Sequence, residues 1–175
     1  MKIVSFLVGV FVLSQSAFGS IFPRVVDDID LPQFLGKWYQ IASTNPAFQS
    51  DCLCVTAEYE LNESGNVQVT NSCRKNSIDG EFEVAIGEAR PTMNPAKLNV
   101  SFGGFSLPFS NYWIVDLAED YSYAVVSTPF RTPIWVLSRT PTMDAEIYEG
   151  ITDRLKDQKF FLRRLAPTIQ EGCNN

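Results

Sequence analysis

The chain has 175 residues, enough for one domain with a substantial core and too few for two domains of ordinary size. Its 20 acidic residues outweigh 14 basic ones, and a formal charge of -6 leaves no electrostatic footprint for nucleic acid or an anionic membrane surface. Histidine is absent, which excludes Ser-His-Asp and Cys-His nucleophiles and the imidazole ligands usual for zinc or copper.

Met1 and Lys2 precede an almost unbroken apolar run at residues 3–13, about eleven long where a membrane-crossing helix needs about twenty. Residues 14–19 are small and polar, and Ala17-Phe18-Gly19 has the small-x-small form of a signal-peptidase site. Residues 1–19 are therefore predicted to be a cleaved secretory signal, with residues 20–175 as one domain. Cleavage removes one lysine and no acid, moving the net charge from -6 to about -7. No lipid-anchor cysteine follows the apolar run, and no later segment is apolar enough to span a bilayer, so no stable membrane insertion is expected.

Short alternating runs then recur every ten to twelve residues or so, starting with a strand at residues 37–44. The clearest places Val55, Ala57, Tyr59 and Leu61 opposite Thr56, Glu58, Glu60 and Asn62. Glu63-Ser64-Gly65-Asn66 turns the chain into a second run, in which Val67, Val69 and Asn71 alternate with Gln68, Thr70 and Ser72. Phe82, Val84 and Ile86 alternate with Glu81, Glu83 and Ala85, and Leu98, Val100 and Phe102 with Lys97, Asn99 and Ser101. Runs at 112–117, 121–128 and 134–139 complete eight strands with hairpin-length connections. A meander of eight closes into an up-and-down antiparallel β-barrel, just wide enough to hold one small ligand. A sandwich fits the periodicity nearly as well.

After Pro141 the period changes. Ile147, Ile151 and Leu155 recur at helical spacing, Asp144 and Glu146 suit the first turn, and Thr142 is the predicted N-cap. One α-helix of about fourteen residues should pack on the outside of the sheet, followed by a short extended piece at 160–165. Asn62-Glu63-Ser64 and Asn99-Val100-Ser101 are sequons whose asparagines, Asn62 and Asn99, fall on the outward parity of their strands. Cys52, Cys54, Cys73 and Cys173 are an even set in an exported chain, which reads as two disulfides in any of three pairings. A four-thiolate zinc site would want CxxC pairs, so no metal or cofactor is expected.

Gly36-Lys37-Trp38-Tyr39 resembles the block that opens the first strand of the lipocalin family. Asp120-Tyr121 and the run from Trp135 to Pro141 resemble the second and third blocks, in the family's order. The likeness covers essentially the whole mature chain. It is greatest to the apolipoprotein D and bacterial lipocalin group, through Thr56-Ala57-Glu58-Tyr59, Pro95-Ala96-Lys97-Leu98 and Leu137-Ser138-Arg139-Thr140-Pro141. The resemblance implies an all-β barrel with one C-terminal helix outside it. It implies structural roles for Gly36, Trp38 and Arg139, with the arginine lying across the tryptophan ring at the closed end.

Parity together with the resemblance places Tyr59, Asn71, Leu98, Val100, Tyr112, Trp135 and Leu137 on the cavity wall. The resemblance also implies the pairs Cys52–Cys73 and Cys54–Cys173, with a bulge near Cys52 or Cys73 because Cys73 has inward parity. The expected protein is a secreted carrier, periplasmic if bacterial, existing as a monomer or weak homodimer. Its partner would be a small hydrophobic ligand: a fatty acid, lysophospholipid, sterol, retinoid, carotenoid or bilin. No catalytic residue is assigned. Two alternatives stand beside the carrier: an enzyme using a free cavity thiol, and a protein-binding lipocalin acting through loops such as 105–109.

Overall fold

A computed structural model of the chain describes residues 20–104 and 107–173, so the predicted signal and part of the 105–109 loop lie outside the described residues. A helical turn α1 (Leu31–Phe34) leads into β1 (Gly36–Ser43), β2 (Cys52–Leu61), β3 (Val67–Lys75) and β4 (Phe82–Pro91). There follow β5 (Lys97–Phe102), β6 (Tyr112–Leu117), β7 (Tyr123–Ser127), β8 (Ile134–Ser138), helix α2 (Ala145–Asp157) and a two-residue β9 (Ala166–Pro167). Each of the first eight strands pairs antiparallel with its sequence neighbours, and β1 pairs with both β2 and β8, closing the barrel.

The base of the barrel is closed by aromatic packing. Trp38 is fully buried and donates its indole N–H to the Phe34 carbonyl at 2.8 Å, and its ring lies 5.1 Å from that of Phe34. The Arg139 guanidinium stacks 3.7 Å from the Trp38 ring centroid. Its nitrogens donate to the Lys37 carbonyl at 3.0 Å and to those of Gln33 and Tyr121. One side chain thus ties α1, β1 and the β6–β7 turn together. Gly36 has φ +88°, a conformation that favours glycine, and a Cβ there would sit 3.6 Å from the same guanidinium.

A second layer forms outside the sheet. Ile151 and Leu155 of α2 pack with Trp113, Val115, Val125 and Val136, the outward residues of β6, β7 and β8. Ile147, predicted to lead that apolar stripe, is exposed, while Met143 and Tyr148 pack on the cluster instead. The N-cap is Asp144, not Thr142, because the helix starts at Ala145 and the Tyr148 N–H donates to the Asp144 carbonyl at 3.0 Å. β7 starts at Tyr123, since Tyr121 sits at φ +58° in the turn from Ala118.

Two further expectations change. Val67 and Val69 pair with Ala89 and Gly87, so β4 turns its small residues inward, and Phe82, Val84 and Ile86 face outward. The predicted extended piece at 160–165 is a 3-10 turn at Leu162–Arg164, with the strand formed two residues later as β9.

The tail has a structural task. β1 and β2 pair only from Gly36 to Tyr39, then diverge toward the mouth. β9 enters that gap, pairing with Ala42 and Ser43, and the Ile169 carbonyl accepts from the Cys54 N–H at 2.9 Å. The Gln170 amide donates to the Gln40 and Val55 carbonyls at 2.9 and 2.8 Å, bridging the two parted strands. Disulfides join Cys52 to Cys73 and Cys54 to Cys173. The bulge lies between Leu53 and Thr56, where Cys54 takes φ +55°, and it aims Cys54 at the tail while Cys52 reaches β3.

Two outcomes follow. Arg139→Lys keeps the charge but loses the planar fork, and should cost about 1–3 kcal/mol in urea unfolding. A change within about 0.5 kcal/mol would show that the base does not depend on that fork. Replacing Cys54 and Cys173 together by alanine should cost about 2–5 kcal/mol. Unaltered stability would mean that the tail strap is dispensable to the fold.

Candidate functional site

Strand parity defines the lumen. The inward row comprises Trp38 and Gln40 of β1, Ala57 and Tyr59 of β2, and Val67, Val69 and Asn71 of β3. It continues with Ala85, Gly87 and Ala89 of β4 and Leu98, Val100 and Phe102 of β5. Tyr112 and Ile114 of β6, Ala124 and Val126 of β7, and Trp135 and Leu137 of β8 complete the wall. The lower part is solid: Phe34, Trp38, Tyr59, Val67, Ile114 and Val126 are buried against one another. Nearer the mouth Asn71, Gly87, Val100, Tyr112 and Trp135 are half-buried and Ala85 is exposed, although all face inward. The lumen is therefore a cup over a packed base, with the small Ala57 and Ala85 on its wall and the Phe102 ring lying against Gly87.

A tyrosine pair forms the floor of the cup. The Tyr59 and Tyr112 hydroxyls lie 2.7 Å apart, joining β2 to β6 across the barrel. The Tyr59 ring also packs 5.4 Å from Phe34, which ties the pair to the base. Burial pushes the Tyr59 phenol up to about 12 and holds that of Tyr112 well above the ordinary value, with the proximity of Tyr59 adding to the latter. Both therefore stay neutral throughout the physiological range.

A second polar chain runs near the mouth. Trp135 donates its indole N–H to Gln49 at 3.0 Å, Gln49 donates to Gln40 at 2.7 Å, and Gln40 donates to Thr168 at 2.7 Å. The 3-10 turn Ala47–Gln49 thereby folds inward to hold Trp135 in place, while the Phe48 ring stands 6.5 Å from it. At the rim Lys75 donates to the Ser50 carbonyl at 3.0 Å and lies 3.6 Å from the Glu83 carboxylate. Lys75, at the edge of the cup, is thus already engaged.

All seven predicted wall residues lie on the inward face. Tyr59 and Tyr112 touch; Leu98, Val100 and Leu137 supply apolar surface; and Trp135 stands at the mouth. Asn71 lies between Ala57 and Ala85 in register, and its amide has no hydrogen-bond partner among the described residues. Sequence reasoning missed Gln40, Gln49 and Lys75. The first has readable parity, two residues from Trp38, whereas Gln49 enters through a turn that no pattern announces. Neither sequon asparagine is free: Asn62 receives the N–H groups of Ser64 and Asn66, and Asn99 donates to the Leu107 and Phe109 carbonyls. Among the described residues no group of three or more Cys, Asp or Glu could hold a metal, and no helix is long and apolar enough to cross a membrane.

The neutral tyrosines give the fold an alkaline limit. Each phenol titrates higher in the folded chain than in the unfolded one. Their contribution is therefore full below the ordinary phenol pKa of about 10 and lost as pH rises through the folded values. Tyr59 alone should cost about 2 kcal/mol between pH 10 and pH 12, measured by urea unfolding. The Tyr59→Phe, Tyr112→Phe double variant should flatten that decline; parallel pH curves for the two proteins would contradict the assignment.

Comparison with known proteins agrees with this geometry. A family model described as a lipocalin-like domain matches residues 29–170. Temperature-induced lipocalin-1 of Arabidopsis thaliana is 30% identical, over 84% of this chain and 82% of its own length. Apolipoprotein D of Bos taurus is 33% identical, covering 86% and 82%, and outer membrane lipoprotein Blc of Vibrio cholerae is 35% identical, covering 85% and 86%. Among solved structures, apocrustacyanin C2 superposes with a TM-score of 0.65 at 18% identity, over 82% of this chain and 81% of that one. Insecticyanin from the tobacco hornworm, Manduca sexta, gives 0.61 at 21% identity, over 83% of each chain. These likenesses at low identity concern the fold; the family model and the sequence relatives establish kinship. The chain belongs to the lipocalin family.

Proposed function

We propose that the protein is an exported carrier that holds one small hydrophobic molecule in the upper half of its barrel. The observation that carries this reading is the cup itself: inward residues that are apolar or small, yet half-open to solvent, over a packed base. A concave apolar site with a few oriented polar groups is the usual form of a small-molecule pocket. Trp135, Tyr112, Val100, Leu137, Leu98, Tyr59 and Asn71 are the proposed contacts. Fatty acids, lysophospholipids, sterols, retinoids, carotenoids and bilins are the candidate classes.

Export rests on the predicted signal ending near Gly19 and on the two disulfides, which persist in oxidising compartments. The destination is extracellular, or periplasmic in a bacterium. Of the two sequons, Asn62 suits a glycan better. Its Nδ2 makes one surface contact of 3.3 Å with Glu88, whereas that of Asn99 donates to two backbone carbonyls. The acidic surface offers nothing to nucleic acid, and the carrier works as a monomer or weak homodimer. The enzymatic alternative needs a free lumen thiol, and all four cysteines are bridged.

Native mass spectrometry of protein purified from its source should show one stoichiometric, extractable passenger. Trp135→Ala should weaken retention of that molecule about tenfold to a hundredfold. Unchanged affinity in that variant would remove Trp135 from the site, and a passenger-free native protein would argue against the carrier.

A further inference from the structure

We propose that the floor of the cup selects ligands whose buried end carries an uncharged oxygen acceptor, such as a ketone, aldehyde, ester or ether. This rests on the carrier reading and goes further by naming what the buried end must offer. Two phenol hydroxyls bring two hydrogens, and their mutual contact at 2.7 Å uses one of them. The second hydrogen has no acceptor among the described residues. Phe34, Ala57, Val69, Leu98 and Ile114 belong to the same packed cluster as the pair, and none offers a side-chain oxygen or nitrogen.

With no acceptor among the described residues, water is the partner left for that hydrogen while the cup is open. A ligand that fills the cup expels the water and must replace its hydrogen bond or leave the hydroxyl unsatisfied in an apolar place. An acceptor oxygen at the buried end restores the bond, whereas a hydrocarbon end does not.

Charge narrows the class further. Arg139 lies on the base side, stacked on Trp38 and committed to three carbonyls. Lys75 at the rim is tied to Glu83 and Ser50. A carboxylate at the floor would lose its water with no cation to receive it, a heavy cost in an apolar lumen. The phenols themselves stay protonated, because burial holds both above their ordinary range. The floor is thus a neutral donor that matches a neutral oxygen.

The test compares 2-acetylnaphthalene with 2-ethylnaphthalene, near-equal in shape and differing chiefly by one carbonyl oxygen. Quenching of tryptophan fluorescence gives both affinities for wild type, Tyr59→Phe, Tyr112→Phe and the double variant, each checked for its fold by circular dichroism. The ketone-to-hydrocarbon affinity ratio should be about three- to tenfold higher in wild type than in the double variant. Each single variant should keep most of that preference, because one hydroxyl with a free hydrogen remains. Equal ratios in wild type and double variant, with both probes bound, would overturn the proposal and leave the carrier intact. So would a preference lost already in both single variants. Failure of wild type to bind either probe would instead count against the carrier reading.

Discussion

The architecture depends on one stacked contact, the Arg139 guanidinium on the Trp38 indole. A barrel of eight strands has two ends, and in an open tube neither would be preferred for a ligand. Here one end is filled. The indole, the Phe34 ring and the guanidinium bring together residues separated by about a hundred positions in sequence, and the arginine satisfies carbonyls from three segments. The tyrosine pair rests on that plug through Phe34, so the floor of the cup has its position set from below. Closure at the base and openness at the mouth are two consequences of the same packing.

The mouth is built on a different principle. Between β1 and β2 the barrel parts, and the C-terminal tail supplies the missing hydrogen-bond partners through β9, the Ile169 carbonyl and the Gln170 amide. Backbone groups in a parted seam are costly if left without partners, so the tail completes the barrel rather than decorating it. The Cys54–Cys173 bridge closes a separation of 119 residues and holds this strap in place. Thr168 of the strap also ends the polar chain that steadies Trp135, so the tail reaches the proposed ligand site through three side chains.

Much of this was legible in the sequence because strand period and barrel geometry leave few choices. Ala57 and Tyr59 alternate with Glu58 and Glu60, so their inward placement follows from the pattern. Leu137 and Trp135 follow by counting back from Arg139. β4 was not legible in the same way, since its larger apolar residues face out. Ala85, Gly87 and Ala89 take the inward positions of β4, where larger side chains would meet the packed base and the Phe102 ring, and Phe82, Val84 and Ile86 are left facing out. The Arg74 guanidinium covers part of the loss, lying 4.8 Å from the Phe82 ring. Gln49 and the β9 strap escaped because a 3-10 turn and a two-residue strand carry no period to read.

The central claim is that cargo sits inside the barrel above the tyrosine pair and not against its outer surface. The outer surface offers a real alternative: a groove of about 570 Å³ beside the mouth, lined in part by Phe130, Lys159, Phe161 and Arg164. A crystal structure of the protein loaded with its native passenger separates the two most directly. The account predicts ligand density in the lumen, against Trp135 and Tyr112 and ending at the Tyr59–Tyr112 hydroxyls. Density confined to the outer groove, over an empty lumen, would contradict it.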